Sequence, residues 1–562
     1  MPPSFSKVLR QFKTAVANEK GQLDVDNLTS TIALLQTILT DLNTELRIKT
    51  HVPLFNCLAN ELVVEIFKHV LSANPRDSSY LVTSRERSRV DTAPLLWLTH
   101  VCRKWREVAL GCPELWARVD GECSAQLRAF LLRSQHAPIS LFLRSDAKDY
   151  QKTVAAVGPR IRRLDLTVMS PVHDIRSLLR FQFRDVLECI TISYTARVSH
   201  PQRSTLFKVG LLGGGVLPIK ALALDGLTDW VPTNQFPSLT HLYLALHGFD
   251  QDASTQAVLL LLSKTPKVEF VTITCLDGEV SSASLLPLPH LRLLELVAPG
   301  LDTAADFLSL LQLPSDALVR VDNFHTETAD AAIVHAPGLT GFVTRLEVAS
   351  EEEHVRVIGE TSAGGLWLEG SFGSYDEDGD WCTWVRRLPE MFPLAQITRL
   401  QILIKDDHDL LAALLSDMPS LTELAMYLSA SATRSMCKAL SRAYLCPMLQ
   451  SAIFDIEVDA HTDLKPSEFS HMIDIRAAFG HPLREVLVHL SEDALPTGSG
   501  ITHRLAESFR APAHSKGFRI LLPQSQFEPF ADRRTWAVDG SAKYWDLEDF
   551  VKPVSMKSWN TW

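Results

Sequence analysis

The chain has 562 residues, and at about 150 residues per globular domain that length allows three or four domains or one long repeat array. Hydrophobic residues make up 46% and charged residues 22%, an ordinary globular composition that excludes a chain too polar to offset its own ordering entropy. The 55 basic and 66 acidic residues leave a net charge of −11, which excludes a basic field able to collect nucleic acid or anionic lipid.

Nine cysteines are scattered along the chain, odd in number and never spaced Cys-x-x-Cys. That pattern reads as reduced thiols in a cytoplasmic or nuclear protein. The first residues, MPPSFSKVLRQFKTAVANEKGQL, are interrupted by charge too often for a signal peptide. No later stretch approaches the roughly 18 apolar residues of a membrane span.

In chain order, the first element is a helix: Leu28, Ile32, Leu35, Leu39, Leu42 and Leu46 recur at steps of four and three and form one apolar stripe. Residues 1–50 are therefore expected to be a helical segment docked on its own domain. Residues 51–120 form the next unit, with two helical patterns around a polar insert, Ala73 to Val90, expected to be a surface loop.

From residue 161 the chain is tiled. Apolar residues at positions 1, 4 and 6 recur at Ile161/Leu164/Leu166, Leu187/Ile190/Ile192, Ile219/Leu222/Leu224, Leu239/Leu242/Leu244, Val268/Val271/Ile273 and Leu291/Leu294/Leu296. A degenerate copy, Leu318/Val321, is followed by Val343/Leu346/Val348, Ile397/Leu400/Ile402, Leu421/Leu424/Met426, Leu449/Ala452/Phe454 and Leu483/Val486/Val488. If the long interval between Val343 and Ile397 is taken as two units, the mean period is about 27 residues, inside the leucine-rich-repeat range. Pro237, Pro266, Pro289, Pro419 and Pro447 each stand two residues before a pattern start. A proline there closes the preceding helix and biases its neighbour toward extended geometry, after which a strand begins.

Helical runs lie at Thr255 to Thr265, Thr303 to Leu313 and His408 to Met418, each ending at a proline. Each unit thus reads as helix, proline turn and short strand, and stacked units bury what one cannot bury alone. The fold class is α/β: an all-helical N-terminal domain followed, over 121–490, by an irregular solenoid with a parallel sheet on a concave face and helices outside.

Positions 1, 4 and 6 point into the core, so positions 3 and 5 line the other face of the sheet. Arg163, Asp165, His241, Tyr243, Phe270, Glu295, Arg345, Glu347, Arg399, Gln401 and Glu423 are therefore the candidate contacts for a bound protein. Residues 491–562 break the period. They contain an expected last strand, Gly517 to Leu522, and Trp536, Trp545, Trp559 and Trp562, and are expected to cap the end of the array.

Leu58-Ala59-Asn60-Glu61-Leu62-Val63-Val64-Glu65-Ile66-Phe67, then Val101-Cys102-Arg103-Lys104-Trp105-Arg106, then Pro113-Glu114-Leu115-Trp116, resembles the F-box. The resemblance is greatest to fungal F-box-like proteins with leucine-rich repeats behind the F-box. It implies docking on a Skp-type linker of a cullin-RING ubiquitin ligase, with the following domain capturing the substrate for ubiquitin-dependent degradation. By the same resemblance Leu58, Ala59, Leu62, Ile66, Phe67, Val101 and Trp105 would meet the linker. The chain departs from the family in two ways: Ala59 stands where proline is usual, and the repeat asparagine at position 9 is replaced by His247, Leu276, Pro299 and Ser429. Turn carbonyls must therefore be satisfied by other means.

Chemistry was sought and not found. In Asp376-Glu377-Asp378-Gly379-Asp380, Val385 stands where a calcium loop needs its glutamate. Gly213-Gly214-Gly215 lacks the residues of a phosphate loop. No zinc-spaced Cys/His set or hydrolase motif occurs. The expectation is a non-catalytic, cofactor-free and metal-free adaptor. The alternatives are a repeat scaffold that recruits no ligase and a hydrolase with a dispersed triad.

Overall fold

The computed structural model describes residues 58–72, 92–121, 124–144, 154, 156–168, 186–194, 207–226, 230–246, 254–278, 284–326, 332–351, 354–373, 380–404, 407–442, 444–457, 464–491, 519–521, 536 and 538–545, together with Gln36 and Thr40. The stripe from Leu28 to Leu46 lies outside these residues except for those last two. The insert 73–90, the acidic run 376–379, Trp559 and Trp562 lie outside them as well.

The molecule divides into two compact units, one drawn from residues 1–74 and 92–115, the other holding 116–562. The described residues of the smaller include the helices α1 (Asn60–Ser72), α2 (Ala93–Val101) and α3 (Arg103–Gly111). Cys102, in extended geometry, separates α2 from α3, and its Sγ accepts from the Trp105 amide at the start of α3. Val63 and Phe67 of α1, Leu95 and Leu98 of α2, and Val108 and Ala109 of α3 are buried. Phe67 meets Trp105 edge-on with ring centres 5.0 Å apart.

The larger unit is mixed α/β and is built on one 17-stranded sheet that does not close into a barrel. In chain order its strands are β1 (Arg118–Asp120), β2 (Ile139–Arg144), β3 (Ile161–Val168), β4 (Cys189–Tyr194), β5 (Ala221–Asp225), β6 (His241–Ala245), β7 (Phe270–Thr274), β8 (Leu293–Val297) and β9 (Leu318–Thr326). They continue with β10 (Arg345–Glu351), β11 (His354–Glu360), β12 (Gly365–Phe372), β13 (Arg399–Leu403), β14 (Glu423–Ser429), β15 (Ser451–Glu457), β16 (Glu485–Ser491) and β17 (Arg519–Leu521). β1 to β9 pair in parallel, each with the next, and so do β13 to β17.

Between these two runs the order reverses. β9 pairs with β12, β12 antiparallel with β11, β11 antiparallel with β10, and β10 in parallel with β13. The long interval between Val343 and Ile397 is therefore a three-strand meander folded back into the sheet, and it does not hold two ordinary units. β9 carries a bulge at Asn323 (φ 53°). Gly370 lies beside it, where a Cβ would stand 2.3 Å from the Phe324 carbonyl oxygen.

Among the described residues there are twelve helices. In the larger unit these include α4 (Ser124–Arg133), α5 (Ser254–Leu262), α6 (Leu301–Ser309), α7 (Pro337–Thr340), α8 (Asp380–Arg386), α9 (Leu388–Met391), α10 (His408–Ser416), α11 (Ala430–Leu440) and α12 (Pro466–Ala478). The expected helices over 255–265, 303–313 and 408–418 correspond to α5, α6 and α10. Among the described residues no helix lies between β5 and β6; a short parallel pair, Phe207–Val209 before β5 and Trp230–Pro232 after it, flanks β5 in the chain. Trp116 is fully buried in this unit, against Phe130 at 4.9 Å and beneath the Arg133 guanidinium at 4.3 Å.

Positions 1, 4 and 6 form the core, as the period predicts: Leu239, Leu242 and Leu244, or Leu421, Leu424 and Met426, are each at most 2% exposed. At position 2, where each strand begins, backbone groups pair from unit to unit. Carbonyls of Lys220, Thr240, Glu269 and Arg292 accept from the amides of Thr240, Glu269, Arg292 and Leu318, at 2.8–2.9 Å. Threonine hydroxyls reinforce the same row, Thr398 donating to the Thr344 carbonyl and Thr422 to that of Thr398, at 3.1 and 2.9 Å. At the far end the buried Arg476 of α12 donates to the carbonyls of Leu440, Leu445 and Cys446.

Candidate functional site

Among the described residues of the helical unit the surface-facing large apolar side chains are Leu62 (54% exposed), Val70, Leu96, Trp97 (68%), Val101 (59%) and Leu110. Trp97 and Val101 are four apart and share a face of α2. Of the residues expected to meet a linker, Leu62, Val101 and Ala59 are exposed, while Leu58, Ile66 and Trp105 are half-buried. Phe67 is a correction: it is fully buried against Trp105 and has no surface to offer. Trp97 was missed because α2 is apolar all round, so periodicity does not mark which side is out.

In the larger unit the sheet register places every candidate contact of positions 3 and 5 on one face, in two adjacent rows. One row holds Arg163, His241, Phe270, Arg345, Arg399 and Glu423; the other holds Asp165, Tyr243, Glu295, Glu347 and Gln401. The face is not the open surface expected. Asp165, His241, Tyr243, Phe270 and Gln401 are buried, each at most 7% exposed.

Over β3 to β12 the reason is the chain itself, for Trp536 and residues 538–545 lie across those strands. Trp536 packs edge-on against Trp367 of β12 at 5.4 Å, beside Ile358 and Leu318, and its indole N–H donates to Glu360 at 2.9 Å. The carbonyl of Asp539 accepts from Arg292 at 3.2 Å, and that of Gly540 from His241 Nε2 at 2.8 Å. The carbonyl of Tyr544 accepts from Arg163 Nη1 at 2.9 Å. Trp545, 2% exposed, sits with Tyr544 among Cys189, Ala221, Ala223, Tyr243 and Ala245, and its indole N–H donates to Thr191 at 3.3 Å.

The expected cap is thus divided: β17 extends the sheet at its end, whereas Trp536 and residues 538–545 lie on its face. No periodicity in the sequence marked this, because the contacts bring together residues up to 381 positions apart.

The chemistry of the covered face is that of positioning. Arg163 is aimed by Asp165, 2.8 Å from its Nε. His241 is held below its usual pKa first by burial and secondarily by Lys543, against the opposing pull of the Gly540 carbonyl and Glu269. It is therefore the neutral tautomer, Nε2–H toward Gly540. Burial pushes the Cys189 thiol up to about 12.

Next along the sheet, Glu295, Arg320, Asp322 and Glu369 meet on β8, β9 and β12. Arg320 binds Asp322 at 2.6 Å and stands 4.7 Å over the Trp367 ring. Burial, with Glu369 and Glu295 nearby, outweighs the Arg320 pairing and pushes Asp322 up to about 7.

Beyond the covering segment the remaining candidates are neutralised on the spot: Arg399 pairs with Glu423 at 3.0 Å, Arg345 with Glu360 at 3.3 Å, and Glu347 with Arg356. No group of three or more His, Cys, Asp or Glu among the described residues could hold a metal ion, and no described helix is long and apolar enough to cross a membrane. No known family model matches the chain, and no curated protein matches it.

Proposed function

We propose that this chain is the substrate-recognition adaptor of a Skp/cullin/F-box-type ubiquitin ligase, an F-box-like helical domain followed by a leucine-rich-repeat solenoid that binds the target protein. The observation that carries the reading is the apolar surface of the helical unit. Leu62, Trp97 and Val101 are more than half exposed in a domain whose own core is already filled by Val63, Phe67, Leu95 and Leu98. Large apolar side chains left out of a complete core are the mark of a docking surface. They fall within or beside the residues that resemble the F-box. The second support is the row of side chains of both signs along one sheet face, Arg345, Glu360, Arg399 and Glu423 among them.

The test is titration of the full chain with a purified Skp-type linker. Binding is expected, weakened at least tenfold by Trp97→Asp or Leu62→Asp with the melting temperature unchanged. A full chain that binds no linker overturns the ligase reading. It would favour the second reading, a repeat scaffold without ligase recruitment, for which Ala59, exposed in place of the family's proline, is the motivating departure.

A further inference from the structure

We infer that the sheet face over β3 to β12 is a binding groove for a peptide with two aromatic anchors nine positions apart and a turn between them, and that the segment from Trp536 to Trp545 is an internal copy of that ligand which a target must displace. This deepens the proposed recognition of a protein target and rests on it.

The covering segment shows which ligand the face accepts. At one end the trough is built from small side chains. Cys189, Ala221 and Ala223 stand where positions 3 and 5 carry Phe270, Glu295 or Trp367 elsewhere, Ala245 follows at position 7, and the space they leave holds Tyr544 and Trp545. At the other end Gly365 makes room for the indole of Trp536, which a Cβ there would approach to 3.2 Å. Six strand-to-strand steps separate β4 from β12, about 29 Å at roughly 4.8 Å each. The segment crosses that distance with a turn at Ser541–Lys543 rather than as a continuous strand, and meets the sheet at Trp536, Asp539, Gly540, Tyr544 and Trp545.

Between the anchors the sheet reads backbone. His241, Arg292 and Arg163 each donate to a main-chain carbonyl, of Gly540, Asp539 and Tyr544. Contacts to carbonyls carry no side-chain information, so any peptide with matching anchors can replace the internal one. Buried aromatics in fitted pockets ringed by polar donors are the arrangement of a binding hot spot.

The probe is a labelled synthetic peptide WAVDGSAKYW, with AAVDGSAKYA as control, titrated by fluorescence anisotropy. The proteins are the full chain, the Trp536→Ala/Trp545→Ala variant, and that variant with Ala223→Phe added to fill the trough. The full chain, occupied in cis, is expected to bind the probe weakly, the double variant at least tenfold more tightly, and the triple variant and the control peptide hardly at all. Cys189, beneath Trp545, reports on the segment independently: its alkylation, read by mass spectrometry at the native melting temperature, is expected to rise at least tenfold in the double variant and to fall again with probe.

Equal weak binding to full chain and double variant, with Cys189 uncovered and the fold intact, overturns the inference. So does a Cys189 that stays protected in the double variant. None of these readings involves the linker, so failure of linker binding and failure of the groove are separate results.

Discussion

His241 Nε2 donates to the carbonyl oxygen of Gly540 at 2.8 Å, joining residues 299 positions apart across the face of the sheet. The same imidazole lies 4.5 Å from the Phe270 ring and 4.8 Å, edge-on, from Tyr544. It is buried by the segment it binds, so its protonation and the seating of that segment are linked.

The first prediction follows from that link. Folding and covering lower the His241 pKa below the free value of about 6.5. Its contribution is therefore complete above about pH 6.5 and is lost as pH falls through the lower, folded value. Asp322 works in the opposite sense. With its pKa raised to about 7, its contribution is present at low pH and lost as pH rises through 7. The two are separated by comparison: between pH 7.5 and 5.5, Cys189 protection relative to His241→Gln should fall in the parent chain. Parallel profiles for parent and variant would remove His241 from the linkage.

Phe67 and Trp97 should part company in stability measurements. Phe67→Ala removes a fully buried ring and its edge contact with Trp105, which costs about 3–5 kcal/mol in denaturant unfolding of the helical unit. Trp97→Ala, on a side chain 68% exposed, should change stability by no more than about 0.5 kcal/mol. Loss of linker binding in Phe67 variants would therefore report unfolding, whereas the same loss in Trp97 variants would report the contact.

Arg476→Met should be among the most damaging substitutions near the end of the sheet. The guanidinium donates to three buried carbonyls, at 3.0, 3.0 and 2.8 Å, one of them on Leu440, the last residue of α11. A methionine of similar length fills the space but leaves those acceptors bare, at about 1–3 kcal/mol for each that water cannot reach. Hydrogen exchange should show the loss in α11 and α12 first. An unchanged exchange pattern would mean that the carbonyls find other partners.

Gly370→Ala tests the meander. Its Cβ would stand 2.3 Å from the Phe324 carbonyl oxygen and 2.4 Å from the Phe324 ring, so β12 cannot keep its place beside β9 without a backbone shift. A fall in melting temperature of several degrees is expected, about 2 kcal/mol or more in a unit of this kind. Gly480→Ala, with φ +84° but open space around it, should cost less.

The sequence by itself determined the rows. Apolar residues at positions 1, 4 and 6 with proline two residues ahead dictate short parallel strands, and a side-chain period of two then forces His241, Tyr243 and Arg399 onto the opposite face. Within the helical unit, the resemblance pointed to Leu62 and Val101, which are exposed, but also to Phe67, which is buried, and it did not point to the exposed Trp97, whose helix is apolar all round.

Only the tertiary structure decided what happens on the far face and in the long interval. The return of β12 to β9 depends on Gly370 meeting a bulge at Asn323, a fit between segments almost fifty residues apart. The covering of His241, Tyr243 and Ala223 depends on Trp536 and Trp545 finding troughs hundreds of residues upstream. Strand period is a local property and is written locally. Complementarity between a trough of alanines and a distant indole belongs to neither segment alone, and exists only once the sheet has brought Cys189, Ala221 and Ala245 side by side.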